Sequence, residues 1–125
     1  MSEITTSKTG ASAAGKKKRF VVFYKESILS VKVTDVSFFT LQKGTVQLYT
    51  LNGKSFPLKK SLSEIESALN PELFFRVSRS SIVSYEAIER VETFFGQRAV
   101  VFLKPSGKVL VTKGRLTEFL EWLDN

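Results

Sequence analysis

From Phe20 onward the chain alternates apolar and polar residues at short range, and turn signals cut the pattern into brief segments. Phe20–Tyr24 and Ile28–Val33 read as strands joined across Lys25-Glu26-Ser27. Val36–Leu41 and Thr45–Leu51 pair across Lys43-Gly44. Asn52-Gly53 predicts a two-residue hairpin leading into Lys54–Leu58, where Pro57 favours a sheet edge because it has no N–H to donate. The period then changes. Ser61-Leu62-Ser63-Glu64 has the form of a capping box, Leu62, Ile65 and Leu69 recur at helical spacing, and Asn70-Pro71 ends the helix. Strands resume at Phe74–Val77, Ile82–Ser84, Ile88–Phe95, Arg98–Leu103 and Lys108–Thr112, with turns at Phe95-Gly96-Gln97 and Pro105-Ser106-Gly107. A short helix closes the chain, with Leu116, Phe119, Leu120 and Leu123 on one face. The fold class is mostly β with two short helices.

Met1–Gly15 lacks this pattern. It is Ser, Thr, Ala and Gly with almost no bulky apolar residue, and the basic block Lys16–Arg19 follows it. Residues 1–19 are therefore expected to be a flexible basic tail or linker, and 20–125 one folded domain. The basic block is either a solvated linker end or an arm that touches phosphates.

Composition narrows the chemistry. The chain has no cysteine and no histidine, which removes disulfides, thiolate metal sites and imidazole catalysis. No nucleophile–base pair or metal-ligand cluster is visible, so neither an enzyme nor a cofactor is expected. No apolar run approaches a membrane span, which leaves a cytoplasmic location as the expectation. The net charge is +7, but residues 1–19 hold five cations against Glu3, and residues 20–125 hold 14 basic and 11 acidic side chains. A basic surface on the folded part must come from segregation of charge rather than bulk excess.

That segregation is legible. The first helix exposes Glu64 and Glu66, and the last exposes Glu118, Glu121 and Asp124, so neither suits a groove lined by phosphates. The cations sit at strand ends and loops: Lys43, Lys54, Lys59, Lys60, Arg76, Arg79, Lys113 and Arg115. The segment Phe74–Ser84 is the most distinctive. Burial of Phe75 and Val77 would turn Arg76 and Arg79 outward among Ser78, Ser80 and Ser81, and arginine forks beside hydroxyls suit phosphates and guanine edges. Two further groups are Gln42-Lys43-Gly44-Thr45 and Thr112-Lys113-Gly114-Arg115. Gly44 is either a hairpin glycine or a residue that lets the loop enter a groove. Thr112 or Lys113 either caps the last helix or leaves its first N–H groups to a phosphate. The eleven Phe are mostly core, with base stacking an alternative for Phe94 and Phe95, and Trp122 anchors the last helix on the sheet.

At these residues the chain resembles the LytTR family of bacterial DNA-binding domains. The family pattern Phe-x-Arg-x-His-Arg-Ser-aromatic-aliphatic-Val-Asn appears here as Phe75, the adjoining Arg76, and Ser78-Arg79-Ser80-Ser81-Ile82-Val83-Ser84. The similarity extends through Val36-Ser37-Phe38-Phe39, Asn52-Gly53, Lys60-Ser61-Leu62, Leu69-Asn70-Pro71, Ala87-Ile88, Glu92–Gly96 and Val111-Thr112-Lys113, covering Phe20 to Asn125. Ser78 stands where the family has His, Ser81 where it has an aromatic, Ser84 where it has Asn, and Gly114 where a basic residue is common.

The resemblance implies an elongated fold of about ten strands in small sheets. It also implies the output role of a response regulator, with residues 1–19 as the linker from an N-terminal receiver domain. Its target would be double-stranded promoter DNA with paired direct repeats, its loops would enter successive major grooves, and the duplex would bend. Carried across by position, Lys43, Thr45, Arg79, Lys113 and Arg115 face bases, and Lys59, Lys60, Ser61, Arg76, Ser78 and Ser80 hold the backbone. The free domain is expected to be a monomer that pairs on DNA. An RNA or single-strand binder would instead need exposed aromatics along a strand, for which Phe20, Val22 and Tyr24 are a poor set. A protein-interaction domain without DNA binding is the other alternative, given the small excess of charge.

Overall fold

The computed structural model describes residues 16–95 and 98–125. Met1–Gly15 and the turn expected at Gly96-Gln97 lie outside them. Ten strands form three sheets. They are β1 (Arg19–Tyr24), β2 (Ser27–Lys32), β3 (Val36–Gln42), β4 (Thr45–Thr50), β5 (Ser55–Leu58), β6 (Phe74–Ser78), β7 (Ser81–Ser84), β8 (Ile88–Phe94), β9 (Arg98–Leu103) and β10 (Gly107–Val111). Helix α1 (Leu62–Ala68) follows β5, and α2 (Leu116–Leu123) ends the chain.

The central sheet has the order β5-β4-β3-β7-β6, a two-stranded sheet is β1-β2, and a three-stranded sheet is β10-β9-β8. All pairings are antiparallel. Pro57 does lie on an edge strand.

Both faces of the central sheet are covered. One face, with Phe39, Leu48 and Ile82, packs against Phe20 and Val22 of β1 and Leu62 and Ile65 of α1. The other, with Phe38 and Val83, packs against Ala99, Val101 and Leu103 of β9 and Phe119 of α2. Neighbouring residues of one strand therefore enter two separate cores. This double cover explains where the structure departs from simple alternation. In β6, Phe74 is buried in the first core, and Phe75 is half-buried in the second. Arg76 is consequently half-buried, turned toward α1 rather than outward.

Three further departures have local causes. The β4–β5 loop is wider than the expected two residues: Thr50 and Lys54 close it, with Gly53 at φ +89°. Just after β4, the Leu51 N–H donates to the Asp35 carbonyl at 2.8 Å and its side chain joins the second core. On α2, Leu120 is 43% exposed, and Trp122 takes its place in the core. The indole is large enough to reach Phe75 and Tyr85, each at 5.3 Å between ring centroids, and its N–H donates to the Pro71 carbonyl at 2.9 Å. At the other end of the chain, Arg19 opens β1 rather than belonging to a tail, and the Lys17 N–H donates to the Ala68 carbonyl at 2.8 Å.

Candidate nucleic-acid interface

Antiparallel order places the turns. β3 and β6 both run toward one end of the central sheet, and β4 and β7 return from it. The β3–β4 turn at Lys43-Gly44 and the β6–β7 turn at Arg79-Ser80 thus share that end. β5 runs parallel to β3, so it delivers Lys59 and Lys60 there too, and α1 begins beside them at Ser61. The last loop joins the group through the Thr112 N–H, which donates to the Val77 carbonyl at 3.1 Å.

Each loop is built by a different device. Lys43 and Gly44 have φ of +51° and +82°, and Gln42 pairs with Thr45, the geometry of a type I′ two-residue hairpin. This assigns Gly44 its role as a hairpin glycine. The second turn has no positive φ and no glycine. Its hydroxyls and one guanidinium hold it instead. The Ser80 N–H donates to Ser78 Oγ at 3.1 Å, and the Ser80 carbonyl accepts from the Leu41 N–H at 2.8 Å. Buried Ser81 meets Thr40 at 2.9 Å between hydroxyls. Arg76 donates Nε to the Ser78 carbonyl at 3.2 Å and Nη2 to the Arg79 carbonyl at 2.8 Å, clamping the tip from beneath. Its Nη1 reaches Ser63 Oγ at 3.2 Å and Glu66 Oε1 at 3.1 Å. The third loop is a short 3-10 turn, Lys113–Arg115. Arg115 donates Nε to the Arg76 carbonyl at 3.1 Å, pairs with Glu118 at 2.9 Å, and stacks over the Phe75 ring at 4.7 Å.

The expected site residues therefore fall into two groups. Lys43, Thr45, Lys59, Lys60, Ser61, Ser80, Arg79 and Lys113 are exposed at one end of the sheet, and Ser78 is half-buried beside them. Arg79 has no side-chain hydrogen bond among the described residues. Arg76 and Arg115 direct their donors inward, so they shape the loops. Arg76 lies between two apolar residues of a strand that the structure covers on both faces, so it has no outward side.

An open groove of about 590 Å³ connects the first two loops with the start of α1, lined in part by Thr45, Lys60, Ser63, Arg76 and Arg79. Exposed Lys43, Lys59, Lys60, Arg79 and Lys113 make this end rich in cations, and its nearby carboxylates are each held by a donor. Glu66 pairs with Arg76, Glu118 pairs with Arg115, and Glu64 accepts the Ser61 N–H at 2.9 Å in the capping box. That backbone hydrogen bond, aided by the Ser61 side chain and by Lys60, holds the Glu64 carboxyl below its ordinary pKa. The Lys16–Arg19 block lies elsewhere, against the far end of α1 at Ala68.

The fold gathers exposed cations on turns and strand ends at one end of the central sheet. A model of the LytTr DNA-binding domain family matches residues 26–124, so the chain belongs to that family. Among solved structures, it is similar to the LytTr DNA-binding domain of a Bacillus cereus protein described as a methyl-accepting/DNA response regulator. The TM-score is 0.80 at 18% identity, over 87% of this chain and 99% of that one. The shared fold of ten strands in three small sheets with two short helices is the one expected from the sequence.

Proposed function

We propose that this chain is the double-stranded-DNA-binding output domain of a cytoplasmic bacterial response regulator. It reads promoter DNA through loops in the major groove. The observation that carries this is the shared end of the central sheet, where Lys43, Lys59, Lys60, Arg79 and Lys113 stand exposed while the nearby carboxylates are paired or capping. Family membership and the Bacillus cereus neighbour support the same reading.

In this reading Lys43, Thr45, Arg79 and Lys113 face base edges. Lys59, Lys60, Ser61, Ser78 and Ser80 hold phosphates, which position the protein without reading sequence. Arg76 and Arg115 act through the loops they fix. The domain is a monomer in free solution, and two copies bind paired direct repeats. Linked sites raise apparent affinity through effective concentration, without a large protein contact.

Selection of bound duplexes from a random library, followed by titration against salt, tests the proposal. A recurrent motif is expected, along with a log K against log salt slope of about −4 to −5 for roughly five neutralised phosphates. No enriched duplex, or tighter binding to single-stranded RNA, refutes it.

A further inference from the structure

The β8–β9 tip carries two aromatic side chains that no core uses. Phe95 is 95% exposed, and Phe94 is 47% exposed. Strand register fixes where this tip points. The Ser37 hydroxyl donates to the Lys104 carbonyl at 2.6 Å, and the Lys104 N–H donates to the Ala87 carbonyl at 2.9 Å. These bonds put the start of β8 beside the start of β3, at the end of the molecule away from the loops. β8 and β10 both run antiparallel to β9 and hence in the same direction. Thr93, Ala99 and Val111 lie on one rung, and the next residue after Val111 is Thr112, which bonds Val77 at the loop end. Phe94 and Phe95 therefore reach the level where the third loop begins. Two strand spacings, about 10 Å, separate them sideways from that loop.

The tip is also the right kind of surface for a polyanion. Phe94 pairs across the hairpin with exposed Arg98. The nearest carboxylate along β8, Glu92, is held by Arg90 at 2.9 Å. A ring with no donor or acceptor, exposed beside a cation that has no ion pair among the described residues, makes contact by packing while the cation meets phosphate.

We infer that the Phe94–Phe95 tip with Arg98 is a fourth DNA-contacting element, an apolar wedge that packs into the minor groove flanking the loop footprint. It rests on the DNA-binding reading above and extends its footprint by one groove. The ring gives no base-specific hydrogen bond. It favours steps that unstack easily, the way apolar wedges elsewhere kink a duplex.

The test uses the duplex selected by the wild-type chain, with 2-aminopurine placed in turn at each flanking step. Wild type is expected to raise the fluorescence at one flanking step. Phe95→Ala should abolish that rise and weaken binding roughly fivefold to a hundredfold, the range for loss of one aromatic–base contact. Phe95→Tyr should keep both, and thermal unfolding should be unchanged in both variants. If wild type binds and Phe95→Ala matches it in affinity and fluorescence, the wedge is refuted and the loop reading stands. If wild type selects no duplex, both fall. If Phe95→Ala changes only sedimentation, the tip is a protein contact and the DNA assignment is wrong.

Discussion

Replacing Arg76 with alanine, beside Arg79→Ala as its counterpart, separates shaping a loop from reading with it. The Arg76 side chain is 22% exposed and donates to two hairpin carbonyls, to Ser63 and to Glu66. A charge-assisted hydrogen bond of this kind contributes about 1.5–3 kcal/mol when its partner stays dry. Here the carbonyls of an exposed tip rehydrate once the guanidinium is gone, and the half-exposed Glu66 pair contributes only about 0.2–1 kcal/mol. A net loss of about 2 kcal/mol follows, which for a domain of this size lowers the melting temperature by about 8–10 °C. The Arg79 side chain makes no hydrogen bond or ion pair among the described residues, so Arg79→Ala should leave the melting temperature within about 1 °C, in the range of neutral surface changes. On DNA the order reverses in kind. Arg79→Ala should cost about 1–3 kcal/mol on the selected duplex and little on random DNA. Arg76→Ala should weaken the selected duplex only through a loosened tip, and the loss should shrink at low temperature. Circular dichroism melts and fluorescence-anisotropy titrations on both DNAs decide the matter. An Arg76→Ala domain that melts with wild type, or an Arg79→Ala domain that loses equally on both DNAs, refutes the division of labour.

Other outcomes follow from single observations. Gly107→Ala would drive a Cβ into Phe38 Cε1, on a ring already stacked against Tyr49 at 4.5 Å, so about 1–3 kcal/mol of stability should be lost in a denaturant titration. Glu64 has a lowered folded-state pKa, so its capping contribution is complete above its ordinary value of 4.5 and lost as pH falls through the folded value. Glu64→Gln should therefore be less stable than wild type at neutral pH, and acid melts should show the gap closing below about pH 4.5. Lys60→Ala should weaken selected and random duplexes alike and reduce the salt slope by about 0.9, whereas a base-reading role would spare random DNA. Sedimentation of the free domain at tens of micromolar should give a monomer, and a stable dimer without DNA would contradict the proposed assembly.

The strands, both helices and the capping box are legible in the sequence because each rests on local information: a period, a turn residue, a hydroxyl three positions before a carboxylate. The two arginines show where local reading stops. Nothing around Arg76 says that α1 will lie over its strand, because Ser63 and Glu66 are ten or more residues away. Arg115 is likewise tied to Arg76 across 39 residues. The widened β4–β5 loop has the same origin, since Leu51 is held by the Asp35 carbonyl and by the second core, both distant in sequence. The exposed cations were legible for the opposite reason: among the described residues the side chains of Lys43, Arg79 and Lys113 make no distant hydrogen bond or ion pair that could relocate them.

The double cover of the central sheet has a consequence for how the molecule comes apart. Phe38 and Phe39 are joined by one peptide bond yet belong to different cores, as do Ile82 and Val83. Loss of the conformation of β3 and β7 empties both cores at once. The domain should behave as a single foldon, with the amides of β3 and β7 exchanging only through global opening. A regulatory signal arriving at the β1–β2 side would then have no half-unfolded state to populate. It could act on the loop end of the central sheet only by moving the domain as a rigid body.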